Sequence, residues 1–355
     1  MMRLALLLAA MTAASLPCGA QDVAPSALVP DKTVTLGGAA GKMTVRVLIE
    51  QGSRALPVPN LPFTSSIGGE RTTAFADATG AAFFACAAGE KVSAHAALTS
   101  DAFTIRPSYL RIVSVEGACG TETTLTYARA NPGAAALRVW RVATSAKAKL
   151  DSEIGPAAWP KGATFFVSGG AATHGINVGV GADDTTFVVG HELGHAVSDH
   201  AGMIQQGFGD SYHMMTACIG DSGALEEGWA SFFGAWVDQG IDELDPIQEW
   251  DQHSWDKRRL PIKTVPDSVE IGPIGSPQTA AVCKGTDNEM RVMSFLWNVV
   301  AADGVHAPFA TLWRALAGSQ SRSVTQVALK LQKLGVDPVA LRRAWDAAFK
   351  TPCPV

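Results

Sequence analysis

The chain has 355 residues and a mass of 37.0 kDa, enough for two domains at about 150 residues each. Hydrophobic residues make up 47% and charged residues 17%, against about 25% charge in ordinary soluble domains, which argues against long solvated or disordered stretches. A net charge of -5 and a basic run no longer than Lys257, Arg258, Arg259 offer no field for a phosphate backbone, so nucleic acid is not an expected partner.

Residues 1–20 have the form of a secretory signal: Arg3, an apolar run from Leu4 to Leu16, then small residues up to Ala20 before the polar Gln21 and Asp22. Cleavage after Ala20 would send the protein out of the cell or into the periplasm. Leu16 and Pro17 are poor neighbours for lipid attachment at Cys18. No later apolar stretch has the roughly 20 residues of a membrane span, so a soluble mature protein is expected. Export permits disulfides. Cleavage leaves Cys86, Cys119, Cys218, Cys283 and Cys353, an odd number, so one thiol is unpaired within the chain. Sequence alone does not settle the pairing; Cys86 with Cys119 and Cys218 with Cys283 would each stay within one domain. No CxxC spacing occurs, so a cysteine zinc site is not expected.

From Lys32 to about Val115, β-rich runs alternate with turn residues: Thr33 to Leu36, Met43 to Ile49, Ala81 to Cys86, Lys91 to Leu98, Phe103 to Ile105 and Leu110 to Val115. Gly68, Gly69, Gly80 and Gly89 punctuate them. This spacing predicts a small antiparallel β-sandwich over residues 21–119. Within it, Phe75 to Phe84, FADATGAAFF, resembles the turn-and-strand signature of carboxypeptidase-regulatory-like or Ig-like modules, which implies an accessory domain; an inhibitory propeptide is the alternative.

After residue 120 the pattern becomes mixed. Ala134 to Leu150 reads as a helix, Ala163 to Val167 and Ile176 to Val180 as strands, and four apolar-patterned helices start near residues 185, 224, 287 and 324. Residues 120–355 are therefore expected to form an α+β domain.

That domain contains HELGH at 191–195, with Asp183 and Asp184 placed to cap the helix. At 100° per residue His191 and His195 project within about 40° of each other, so both imidazoles can reach one metal ion. Glu192 projects about 100° to the side, the position of a base rather than a ligand. Catalytic zinc generally takes three protein ligands. His200 is the nearest candidate, but a metzincin third histidine would fall at 201, which is Ala201, and Ser198 stands where the metzincin glycine belongs. A better candidate lies in Ala224 to Gln239, ALEEGWASFFGAWVDQ. Leu225, Trp229, Phe232, Phe233 and Trp236 share an apolar arc, with Glu227, Ser231, Gly234 and Asp238 opposite it. Glu227 is the expected ligand, with Glu226 flanking it.

HELGH followed by Glu227, Gly228, Trp229, Ala230 resembles the gluzincin metallopeptidases, which include thermolysin-like and aminopeptidase N-like enzymes. The resemblance spans about fifty residues. It implies a zincin-type catalytic domain, a mixed sheet with active-site helices, in which His191, His195 and Glu227 bind Zn2+ and Glu192 is the catalytic base. Glu226 replaces the family's asparagine, and Ser231 replaces the aspartate that orients a ligand histidine in thermolysin-like members. The 32-residue step from His195 to Glu227 is longer than in the best-known members.

The implied reaction is hydrolysis of a peptide or protein substrate by zinc-activated water, with Glu192 moving the proton. Tyr212 and His213 are candidates for the donor that stabilises the oxyanion, as a tyrosine from this interval does in thermolysin-like enzymes. His174, His253 and His306 are further, weaker options. Ile176 to Gly181, INVGVG, has the place of a zincin edge strand that pairs with extended substrate. Two other functions fit the same sequence: a noncatalytic secreted binding protein with a degenerate peptidase domain, and a zinc amide hydrolase acting on cell-wall peptides. Oligomeric state and subsite preference have no signature in the sequence.

Overall fold

The structure is a computed structural model and describes residues 30–51, 54–98, 100–106, 111–129, 131–167, 172–181, 184–205, 215–238, 247–252, 256–271, 278–301 and 309–355. The signal-like segment, Cys18, Asp183, Tyr212, His213, His253 and His306 lie outside them, as does the side chain of His174.

Strand β2 (Lys42–Gln51) is the centre of the first sheet, and its Met43, Val45, Val47 and Ile49 are all buried, as a period of two requires. It pairs with β3 (Arg54–Pro57) and β6 (Ala81–Ala85) antiparallel on one side, and with β10 (Thr121–Tyr127) parallel on the other. Beyond β10 lies β1 (Lys32–Gly37), antiparallel to it. The sheet is thus not wholly antiparallel. A second sheet runs in the order β5 (Glu70–Phe75), β4 (Pro62–Ile67), β7 (Lys91–Ala97), β9 (Arg111–Ala118), all antiparallel. Phe63 of β4 meets Phe84 of β6 edge to face, with centroids 6.1 Å apart, so the apolar faces of the two sheets share one core.

The third sheet positions the site. Its order is β12 (Ala172–His174), β13 (Asn177–Val180), β11 (Ala163–Val167), β8 (Phe103–Arg106). β8, β11 and β13 are parallel, and β12 runs against β13. Helix α1 (Pro132–Glu153) starts at Asn131, whose side chain accepts from Gly133 N at 2.8 Å, with Pro132 supplying the fixed φ of a first turn. Its Trp140 packs on Phe103 of β8 and donates to the carbonyl of Pro59 at 3.3 Å, joining the first two sheets to the third.

Helices α2 (Thr186–Ala201), α3 (Asp221–Asp238) and α4 (Glu289–Ala301) follow, then α5 (Phe309–Leu316), α6 (Val324–Lys333) and α7 (Pro338–Ala348). Two short hairpins, Ile247–Gln252 with Asp256–Pro261 and Ser268–Ile271 with Gln278–Ala281, lie between α3 and α4. The architecture is mixed α and β, with no closed barrel among the described residues.

Several expectations change. The cap of α2 is Thr185, whose hydroxyl accepts from Val188 N at 3.2 Å. Asp184 instead closes the preceding turn by accepting from Gly181 N. β13, read above as an edge strand, is internal, and β12 forms that end of the sheet. β10 begins just after residue 120 yet belongs to the first sheet, while β8, before it, belongs to the third.

Disulfides join Cys86 to Cys119 and Cys218 to Cys283, and Cys353 is free. Closing loops of 33 and 65 residues restricts the unfolded chain by about 3 to 5 kcal/mol each in the chain-entropy account. Among the described residues no helix is long and apolar enough to cross a membrane.

Candidate metal centre

Helix α2 is buried from Thr186 to Leu193 without interruption, and α3 from Gly228 to Val237. Such helices must press against neighbours on every side. Along their shared seam a Cβ at Gly190 would fall 2.9 Å from the Cα of Gly234, and one at Gly194 would fall 2.9 Å from the Cα of Ala230. The missing side chains therefore let the two backbones touch. Trp229 reinforces the contact by donating its indole N–H to the carbonyl of Gly194 at 3.0 Å.

One turn along that seam, three polar side chains meet. His191 Nε2 lies 3.2 Å from His195 Nε2 and 3.2 Å from Glu227 Oε2, and His195 Nε2 lies 3.4 Å from the same oxygen. A tetrahedral ion with bonds of about 2.05 Å has ligand atoms about 3.3 Å apart, so this triangle has the size of one face of such a tetrahedron. Two imidazole nitrogens and a carboxylate oxygen are a donor set suited to a divalent metal ion, and these three residues form a metal-compatible group. Cys218, Cys283 and Asp287 also come together, but the two cysteines are joined as a disulfide and present no thiolate.

Each imidazole has a partner on its far nitrogen. His191 Nδ1 is 3.1 Å from the buried Ser231 hydroxyl. With Nε2 turned to an ion, Nδ1 carries the hydrogen and Ser231 Oγ accepts it, which fixes the tautomer. Ser231, four residues after Glu227 in α3, is thus the partner that orients His191. His195 Nδ1 lies 3.9 Å from Glu226 Oε1, within ion-pair range and beyond a hydrogen bond.

The electrostatics are those of a tightly coupled acid and base. Burial lowers the His195 pKa, but the hydrogen bond and charge of Glu227, with Glu192 and Glu226 adding theirs, push it up to about 9. Burial raises the Glu227 carboxyl, and the two imidazoles more than offset this, holding it far below the ordinary carboxylate range.

Glu192 is buried beside His191, and its carboxylate Oε2 accepts from the Thr173 hydroxyl at 2.7 Å. His200, the alternative third ligand, is exposed, with Nε2 3.1 Å from the carbonyl of Ala157, and takes no part in the cluster. Tyr212 and His213, the candidate oxyanion donors, lie outside the described residues.

In the sequence Ser231 counts only as a departure from the family pattern, and Thr173 is not singled out. Ser231 had a signal, since it lies four residues after Glu227 and so on the same helix face. Thr173 had none: it reaches Glu192 of helix α2 from strand β12. No protein-family model matches the chain, and no curated protein matches it in sequence.

Proposed function

We propose that the protein is an exported zinc metallopeptidase of gluzincin type, with a zincin-like α+β catalytic unit and a β-sandwich module ahead of it. The observation that carries this reading is the triangle of His191, His195 and Glu227, with a carboxylate, Glu192, next in sequence to the first ligand. The two disulfides suit an oxidising compartment.

His191, His195 and Glu227 would hold the ion, which when bound supplies Lewis acidity and makes water acidic near neutral pH. Ser231 holds His191 in the tautomer that presents Nε2. Glu192 accepts the proton of the attacking water and hands it to the leaving amine nitrogen, as a positioned carboxylate does in general acid–base catalysis. Among the described residues β12 is the last strand of its sheet, and it packs near α2, so an extended peptide would add beside it by main-chain pairing.

Glu192→Gln is the direct test. The variant is expected to keep the zinc content of the wild type and to lose at least about 100-fold of its turnover on a peptide library. A Glu192→Gln protein that cleaves the library as fast as wild type would overturn the reading.

A further inference from the structure

We infer that Thr173 is a positioning residue that aims the Glu192 carboxylate, an assignment that rests on the reading of Glu192 as the base. Thr173 is the middle residue of β12, held in register opposite Val178 of β13. Its hydroxyl lies 2.7 Å from Glu192 Oε2 and 3.0 Å from the Glu192 carbonyl oxygen. One hydroxyl has one proton to give. The shorter contact is to the charged acceptor, where hydrogen bonds are shortest and strongest, and the carbonyl oxygen belongs to a residue inside α2, whose backbone ladder already uses it. The proton therefore goes to the carboxylate.

A glutamate side chain has three torsions, and a base works only in a narrow range of them. Neighbouring bulk does not select a torsion for a group that must stay open to substrate; a directional bond does. Thr173 supplies it from a different element, so the carboxylate is tied both to α2, through its own backbone, and to the sheet. The Thr173 main chain lies in the strand proposed to receive the substrate. A peptide pairing along β12 is thus registered by the same residue that aims the base.

Hydroxyl and backbone can be separated by substitution. Thr173→Val keeps shape, β-branching and main-chain pairing and removes only the hydrogen bond; Thr173→Ser restores the hydroxyl. For zinc-loaded protein on a peptide substrate, Thr173→Val is expected to lower kcat by about 10- to 100-fold with KM within about 2-fold, and Thr173→Ser to recover most of it. A kcat for Thr173→Val equal to wild type would refute the assignment. A second readout is independent of turnover: in crystal structures of the metal-free protein, the Glu192 carboxylate should keep its place in wild type and Thr173→Ser and leave it in Thr173→Val. An unmoved carboxylate in Thr173→Val would refute the assignment equally. Should valine prevent folding, Thr173→Ala gives the same comparison. If wild type cleaves nothing while the carboxylate still moves in Thr173→Val, the peptidase reading fails and the positioning role stands.

Discussion

His195 and Glu227 share a proton economy that a metal ion must disturb. With its pKa pushed up to about 9, His195 carries a proton at neutral pH in the metal-free protein, whereas Glu227 is ionised. A metal ion binds the neutral imidazole. Affinity therefore rises with pH up to about 9 and is lost as pH falls below it, because proton and metal compete for His195 Nε2. At pH 7 zinc binding should release about one proton from this residue, seen as a calorimetric heat that varies with the ionisation enthalpy of the buffer. A heat that does not vary with buffer would contradict the coupling. The histidine pair and Glu227 were legible in the sequence because helical spacing alone places them: His191 and His195 are one turn apart, and Glu227 lies off the apolar arc of its helix. Thr173 was not, since its contact with Glu192 spans 19 positions and two element types.

Helices α2 and α3 converge on the site only because small residues line their seam. A Cβ at Gly234 would lie 2.7 Å from the Phe187 carbonyl oxygen and 2.8 Å from His191 N, both backbone atoms that cannot swing aside. Gly234→Ala should separate the helices, cost about 1 to 3 kcal/mol of stability by overpacking, and pull Glu227 away from the histidines. Thermal unfolding and competition for zinc against a chelator would measure both losses; unchanged zinc affinity would show that the seam does not set the ligand distances. The helix starts near 185, 224, 287 and 324 were readable from apolar periodicity and agree with α2, α3, α4 and α6 to within a few residues. Three polar residues in a row, Asp183, Asp184 and Thr185, offer themselves as caps for α2; Asp184 is engaged by the turn at Gly181, and Thr185 makes the cap. β4 and β5 went unread since FTSSI and ERTTAF carry hydroxyls in place of β-branched apolar residues on the paired faces, as in the Ser65–Thr72 bond. β10, TETTLTY, does alternate, but it lies past the change of pattern near residue 120, while its partners β1 and β2 lie well before it.

At the scale of the whole molecule, one buried core among the described residues runs from the N-terminal sheets to the helices, and a smaller cluster of Val265, Val269, Val282 and Met290 lies apart from it. Phe103 of β8 touches Trp140, Trp159 and Phe165, and β10 is held between β1 and β2. A chain starting at residue 120 would strip β8 from the third sheet and leave β10 with neither neighbour, exposing that aromatic cluster. Such a fragment should show no cooperative thermal transition, in contrast to residues 21–355; a sharp transition with bound zinc would mean the two parts are independent. Local periodicity could mark the change of pattern near 120, but a strand pairing across it depends on long-range register that no window of sequence contains. Three side chains sharing one ion are the core of the proposed site, and anomalous diffraction at the zinc edge from zinc-loaded crystals tests this most directly. A single strong peak is expected about 2.0 to 2.2 Å from His191 Nε2, His195 Nε2 and Glu227 Oε2; a map with no peak at these atoms, or with the peak at other residues, would contradict the shared site.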